Sequence, residues 1–349
     1  MLLILACSLF TFVAGCSNFI MENDPYMISV RTMDLGFGAF DFMVVKKGKT
    51  GNLYGYVSTV FGLPKIPLKR FVAGGLSEAG LTCDQQTLLN SSYPSTAELT
   101  ADRIVSTDSF CGEVLANYSN VTQLKVALES NALAIAAGLV TETHFVVRDN
   151  NGESLIIESP IDGTTGAGIL SLYIDKNDHG TTGYGIFTNE PPFPWHLQYV
   201  QQYKWMNSLE RSAAPWPGTW YPHHRFLRIH LIKSAMSKPA SYEIAIAQAI
   251  HVLNSITVPM GNQYGTESGK GEGAGDHTLY ATIYDRLNLI LYFRTERNQN
   301  FQKIDLPSLL QRAESLHSRE TLTMPIVSND YSTFPFYNDV TSAFDTTLL

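Results

Sequence analysis

Met1-Leu-Leu-Ile-Leu-Ala-Cys-Ser-Leu-Phe-Thr-Phe-Val-Ala-Gly15-Cys16 is the stretch from which the rest of the chain is read. Its first fifteen residues carry no charged side chain and are too few to cross a bilayer as a helix. They end on Val13-Ala14-Gly15, with small residues where signal peptidase needs them. Residues 1–15 therefore read as an export signal, although Leu2 stands where a positive n-region is usual. Removing them would make Cys16 residue one, so that a thiol and a free α-amine belong to the same residue. Val13-Ala14-Gly15-Cys16 also fits a lipobox, whose chemistry alkylates the thiol and acylates the amine. The leader alone leaves plain secretion and lipid anchoring both open.

Beyond Cys16 the composition is that of an ordinary soluble enzyme: 349 residues in all, 44% hydrophobic and 16% charged, with no second apolar run long enough to span a membrane. One large domain accounts for this length. Lys+Arg 24 against Asp+Glu 32 gives a net charge of -8, and no basic stripe is interleaved with aromatics, which argues against a nucleic-acid partner. Of four cysteines, Cys7 falls in the leader and Cys16 is reserved, which leaves Cys83 and Cys111 as a candidate disulfide or as two buried thiols. Glycosylation sequons occur at Asn90, Asn117 and Asn120.

Strand and helix patterns alternate along the chain. Ile28–Met33 and Phe40–Val45 read as strands around a turn at Gly36 and Gly38; His144–Arg148 and Ser154–Glu158 read as a hairpin across Asp149-Asn-Asn-Gly152. Thr278–Tyr284 and Leu289–Arg294 form a second such pair. Helical spacing predicts helices over Leu124–Leu139, His224–Met236 and Tyr242–Ile256, the last with Ile246, Ala249, Ile250 and Leu253 on one face. Sheets interleaved with amphipathic helices imply layered packing.

Beyond Cys16, three local patterns carry chemistry. Arg31-Thr-Met-Asp34 follows Cys16 by fifteen residues; an arginine near a cysteine favours thiolate, and a carboxylate can hold an α-ammonium. Most Arg-x-x-Asp pairs are surface charges, so the pair alone is weak. In Gly185-Ile-Phe-Thr-Asn189-Glu-Pro-Pro-Phe-Pro-Trp-His196 the prolines stiffen the turn after Asn189, whose amide could donate to an oxyanion or merely form the turn. Pro217-Gly-Thr-Trp-Tyr-Pro-His-His-Arg225-Phe-Leu-Arg228 leads from a loop into a helix.

Taken in order, Cys16, Arg31-x-x-Asp34, Thr188-Asn189-x-Pro191, and Pro217-Gly218 followed by Arg225-Phe226 resemble the choloylglycine hydrolases. These comprise conjugated bile acid hydrolases and penicillin V acylases, among the N-terminal-nucleophile hydrolases. Gly75–Leu81 resembles the family's segment before its oxyanion loop, and Thr278 to Thr295 its closing hairpin, so the likeness runs from Cys16 to about Asp305. The resemblance implies an α+β fold, a four-layer αββα sandwich, without metal or cofactor. It implies Cys16 as nucleophile, Arg31 and Asp34 as its partners, Asn189 and the Thr87 backbone N–H as oxyanion donors, and Arg225 as an organising charge. Thr87 stands where many members have Asn, and His224 where Ser is usual. Members are commonly tetramers, which makes a homo-oligomer the expectation.

The mechanism follows from the residue types. An α-amine has a pKa of about 7.7–8.0, so a useful fraction is neutral and can take the thiol proton. The thiolate then attacks an amide carbonyl, and water hydrolyses the thioester. Phe193, Trp195, Trp216, Trp220 and Tyr221 cluster around the motif loops and could line an acyl pocket or pack in the core; Phe193, Trp195 and Trp220 are taken as substrate-binding. His223, His224 and His230 lack a second cluster at metal-ligand spacing. The Gly-rich stretch 265–275 misses the phosphate-loop pattern and reads as a loop bordering the site.

The expectation is an exported, periplasmic or secreted, amidohydrolase. Its parts are an export signal over 1–15, a hydrolase domain over 16–319 and a C-terminal extension over 320–349. It would act on a small-molecule acyl amide of the penicillin V, conjugated bile acid or N-acyl homoserine lactone type, with no stable membrane insertion. The competing expectation is a non-catalytic surface protein of the same fold with Cys16 lipidated.

Overall fold

Ile28-Ser-Val-Arg-Thr-Met-Asp-Leu35 alternates its side chains between two faces, and in the computed structural model of the chain it is a strand whose faces enter different cores. The structure describes residues 15–21, 25–36, 39–48, 51–62, 70–175, 184–203, 217–260, 276–315 and 321–325. Residues 1–14 of the leader, Gly38, Trp216 and the stretch 265–275 lie outside them.

This strand, β2, belongs to a six-stranded sheet of order β12 (Ile186–Thr188), β1 (Ser17–Ile20), β2 (Ile28–Leu35), β13 (His277–Asp285), β14 (Ile290–Thr295), β15 (Gln302–Asp305). A second, eight-stranded sheet runs β11 (Ser171–Ile174), β10 (Ser154–Glu158), β9 (Thr143–Arg148), β6 (Thr82–Thr87), β5 (Arg70–Ser77), β4 (Tyr56–Gly62), β3 (Ala39–Val45), β16 (Thr321–Pro325). Neighbours in both are antiparallel. Both expected hairpins form, as β9–β10 and β13–β14.

Three apolar layers define the stack. Met33, Tyr284 and Leu291 of the first sheet meet Phe40, Val57 and Leu76 of the second, with the Phe42 and Phe293 rings 4.8 Å apart. Behind the six-stranded sheet, Phe19, Ile28, Val30 and Ile283 pack on α3 (Phe193–Gln201), α4 (Pro222–Ala235) and α5 (Tyr242–Ile256). Behind the eight-stranded sheet, Phe145, Val147 and Leu155 pack on α1 (Phe110–Asn117) and α2 (Val121–Glu129). The order helix, sheet, sheet, helix is the four-layer αββα sandwich. A last helix, α6 (Leu306–Ser315), lies against β3, β4 and β15. The segment Thr321–Pro325, expected in a C-terminal extension, supplies edge strand β16 paired with β3.

Two helices differ from their sequence reading. The expected helix Leu124–Leu139 ends at Glu129; Asn131 takes φ 59°, and Leu133-Ala-Ile-Ala136 becomes strand β8, parallel to β7 (Arg103–Ser106). Asparagine tolerates the left-handed conformation that stops the helix, and a free strand edge captures the apolar run. In α5 the buried stripe is Ala245, Ala249, Val252, Leu253 and Ile256, with Ile246 and Ile250 only partly covered, so the face is rotated from the expected one. The Ser241 hydroxyl caps this helix by accepting from the Ile244 N–H.

Candidate active site

Strand register brings residues far apart in sequence to Cys16. Ser17 pairs with Thr188 on one side and Thr32 on the other, so Cys16, one residue earlier, lies beside Asn189 and Met33. Thr278 pairs with Asp34 on the far side of β2. The Cys16 Sγ lies 3.7 Å from Met33 Sδ, and the residue is 2% exposed.

Arg225, in the first turn of α4, ties these strands together. Its Nη1 donates to the Cys16 carbonyl at 2.6 Å and to the Ser17 hydroxyl, Nη2 donates to Asn189 Oδ1 at 3.1 Å, and Nε to the Trp220 carbonyl at 2.8 Å. Buried completely, this charge has its counter-ion in Asp34, 3.8 Å away. The Asp34 carboxylate accepts in turn from Thr278 Oγ1 at 2.6 Å and Thr32 Oγ1 at 3.1 Å. Neither threonine is conspicuous in the sequence, since an isolated hydroxyl carries no spacing signal. A Cβ built on Gly15 would stand 3.3 Å from Arg225 Nη2 and 3.7 Å from the Asp34 Cβ, so the peptide entering Cys16 passes between these two charges.

Asn189 is held at both ends of its side chain. Oδ1 accepts from Arg225, and Nδ2 donates to the Thr87 carbonyl at 2.8 Å, which uses one amide hydrogen and leaves the second. Thr87 closes β6 opposite Thr143 and is half-buried. Asn189 and Thr87 are therefore neighbours.

Arg31 is placed differently from a direct partner of the thiol. Its guanidinium pairs with Asp84 at 3.0 Å and donates to the carbonyls of Ala73 and Gln85, approaching Met33 Sδ at 4.0 Å. Asp84 also accepts from Asn18, whose Oδ1 takes the Arg148 Nε. Its charge reaches Cys16 only through space. β5 has glycine at 74 because a Cβ there would stand 2.1 Å from Asp84 Oδ1 and 2.4 Å from Arg31 Nη1.

Burial sets the titration. It pushes the Cys16 thiol from 9.0 to about 11, against the lowering charges of Arg31 and Arg225 and a hydrogen bond from the Asp34 backbone. It raises Asp34 from 3.8 to about 6, with Arg225 and the two threonine hydroxyls opposing. Held at about 11, the thiol is protonated at neutral pH.

The aromatic candidates separate. Phe193 is 2% exposed, packs in the helix-side core with its ring 5.8 Å from Tyr173, and does not face solvent. Trp195 is 64% exposed. Half-buried Trp220 donates its indole N–H to the Thr257 carbonyl at 3.2 Å, beside an open cleft of ≈ 360 Å³ lined by Thr257, Val258, Met260, Thr278 and Arg294 among others. Thr278 connects that cleft to Asp34. Cys83 on β6 and Cys111 on α1 are bridged as a disulfide. His223 and His224 meet edge to face, His223 stacks on Tyr221 and His224 on Tyr199, and among the described residues no group of three or more His, Cys, Asp or Glu is arranged to hold a metal ion. No helix among them is long and apolar enough to cross a membrane.

Comparison with known proteins agrees with this geometry. The model of the linear amide C-N hydrolases, choloylglycine hydrolase family, matches residues 16–323 and so begins at Cys16. An uncharacterized protein of Paramecium bursaria Chlorella virus 1 is 26% identical over 310 residues, covering 83% of this chain and all of that one. The bile salt hydrolase/transferase of Clostridium perfringens is 24% identical over 258 residues, 67% of this chain and 72% of that one. In fold, the penicillin V acylase of Agrobacterium tumefaciens superposes with a TM-score of 0.66 at 22% identity, over 84% of this chain and 87% of that one. A mutant of the Clostridium perfringens conjugated bile acid hydrolase gives 0.69 at 21% identity, over 88% and 96%. The chain therefore belongs to the choloylglycine hydrolase family of linear amide C–N hydrolases, enzymes that cleave carbon–nitrogen bonds other than peptide bonds.

Proposed function

We propose that the chain is exported and cut after Gly15, and that the mature protein hydrolyses an N-acylated amine with Cys16 as nucleophile and its own α-amine as base. The observation that carries this reading is a single buried guanidinium, Arg225, which holds the Cys16 carbonyl and the Asn189 side chain and pairs with Asp34. Cleavage replaces the Gly15 peptide by an amine between Asp34 and Arg225. Arg225 disfavours its protonated form and Asp34 favours it, so the pair holds the amine near its working range. The neutral amine takes the thiol proton, and the thiolate attacks the amide carbonyl. The free Nδ2 hydrogen of Asn189 and the Thr87 N–H receive the oxyanion. The resulting ammonium returns its proton to the departing amine, and water, deprotonated by the same α-amine, hydrolyses the thioester. Atoms balance without metal or cofactor: one amide bond and one water are consumed, and an acid and an amine are formed.

Bile salt and penicillin V acyl groups, the substrates named for the relatives, are bulky and largely apolar, and the exposed Trp195 with half-buried Trp220 suits an acyl group of that kind. The test is release of free amine from a panel of such amides by protein beginning at Cys16. Wild type should turn over at least one of them, and Cys16→Ser should lower the rate by about 10³ or more with its melting temperature unchanged within a few degrees. Turnover by the serine variant at the wild-type rate would exclude Cys16.

A further inference from the structure

In the sequence His196 does no more than end the stretch that opens at Gly185, yet in the fold it holds the backbone of Asn189. Its Nε2 is 2.9 Å from the Asn189 carbonyl oxygen, and the ring is 1% exposed. A carbonyl can only accept, so Nε2 carries the hydrogen and the ring is the Nε2–H tautomer. Thr188 Oγ1, 3.3 Å from the same nitrogen, gives its own proton to the Pro222 carbonyl and so offers a second acceptor. The other ring nitrogen, Nδ1, is buried and makes no hydrogen bond among the described residues. Protonating it would place an uncompensated charge in the core, and burial accordingly holds the imidazole down to about 3.

The ring is fixed from two sides. It stacks on Phe226, with centroids 4.7 Å apart and planes 5° from parallel, and Phe226 follows Arg225 on α4. One turn of α4 thus controls Asn189 twice: Arg225 grips the side-chain oxygen, and Phe226 holds the imidazole that grips the main-chain oxygen. The helix carrying His196 is anchored at its start, where the Phe193 N–H donates to both oxygens of buried Glu158, at 3.1 and 3.0 Å. Glu158 also pairs with His144 Nδ1 at 2.9 Å. With its amide flip set by Arg225 and Thr87 and its backbone set by His196, Asn189 has one remaining freedom, the hydrogen aimed at the substrate.

We propose that His196 is a positioning residue, which fixes Asn189 through the Nε2–H to carbonyl bond and so acts on turnover without touching substrate. This rests on the reading of Asn189 as an oxyanion donor. Losing such a donor outright costs about 10²–10³ in turnover, and a donor left loose should lose part of that.

The test compares four variants of the mature protein, with kcat normalised to active sites titrated by a thiol reagent and folding checked by thermal unfolding. His196→Phe keeps the stacked ring and removes the hydrogen; kcat should fall about 10- to 50-fold with KM within twofold. His196→Gln, whose amide nitrogen reaches the Nε2 position, should keep kcat within about threefold of wild type. His196→Asn is polar but too short to reach, and should behave like His196→Phe. If the phenylalanine variant does not fold, the glutamine and asparagine pair decides, and equal kcat in the two overturns the proposal. A loss confined to KM, or no loss in His196→Phe, overturns it also. Asn189→Ala separates the two levels: if its kcat stays within threefold of wild type, the oxyanion reading itself fails. If Asn189→Ala loses 100-fold while His196→Phe loses nothing, only the positioning role fails.

Discussion

A thiol held at about 11 sits beside a carboxyl held at about 6, and both displacements are caused first by burial. For Asp34 the sign of the linkage separates chemistry from stability. Its ordinary value is 3.8, so between pH 3.8 and about 6 the native state keeps a proton that the unfolded chain releases. Acidification through that window therefore favours the native state at this residue, and stability from this source is lost as pH rises through about 6. Activity runs the other way, because only the carboxylate can hold the α-ammonium and balance Arg225. Hydrolysis should fall first as the α-amine protonates below about 7.7–8.0 and again as Asp34 protonates below about 6, with the α-ammonium, an opposite charge, moving that second step lower. The measurement is a kcat/KM profile from pH 4 to 8 with circular dichroism at each point. Both steps with folding intact are expected, and a profile without the second step down to pH 4 would remove Asp34 from the mechanism. Arg31 differs: its bond to Asp84 and two carbonyls makes it part of the sheet interface, which the motif spacing could not tell from a thiol partner.

At the scale of elements, β1 is four residues long, and pairing with β2 and β12 is what assembles the site. Cys16, Asp34, Asn189 and Arg225 were legible because each stands in a local pattern. Their meeting was not, because register is decided by sheet partners that no single segment records. The strands and both hairpins were readable from alternation and turn residues. The second half of the expected Leu124–Leu139 helix failed because its apolar run serves a parallel strand as well as a helix. Phe193 was read with the pocket aromatics, yet helix phase turns it into the core. Thr278 and His196 gave no signal, since a hydroxyl and an imidazole acquire roles only through what they face. Gly74 shows the same dependence. Substituting Gly74→Ala should lower stability by about 2–4 kcal/mol, because its Cβ would meet the Asp84–Arg31 ion pair, and neither partner can leave without stranding a buried charge. Urea unfolding of the variant measures this, and a loss under about 0.5 kcal/mol would mean that the sheet interface yields easily.

At the scale of the whole molecule, two covalent features tie layers together. The Cys83–Cys111 disulfide joins β6 of the inner sheet to α1 of the outer layer across a separation of 28 residues. In the chain-entropy account a loop of that length contributes about 3–4 kcal/mol. Cys83→Ala with Cys111→Ala should lower the urea midpoint accordingly, and peptide mapping without reductant should recover the two cysteines linked; free thiols at both positions in exported protein would contradict the bridge. The second feature is the peptide bond between Gly15 and Cys16, which lies where Arg225 and Asp34 converge. While it is intact, the nitrogen next to the thiol is an amide that cannot take a proton, and the buried thiol stays protonated. Breaking it would create the base. The mature protein should therefore begin at Cys16 and carry no lipid mass, since acylation of the amine and alkylation of the sulfur would remove base and nucleophile together. Protein made with Gly15 retained should fold and release amine at less than about 1% of the mature rate until an aminopeptidase removes that glycine. Edman sequencing and intact mass check the first expectation, and amine release before and after trimming checks the second. Equal turnover with Gly15 in place would mean that the base lies elsewhere in the chain, and the α-amine mechanism would have to be given up.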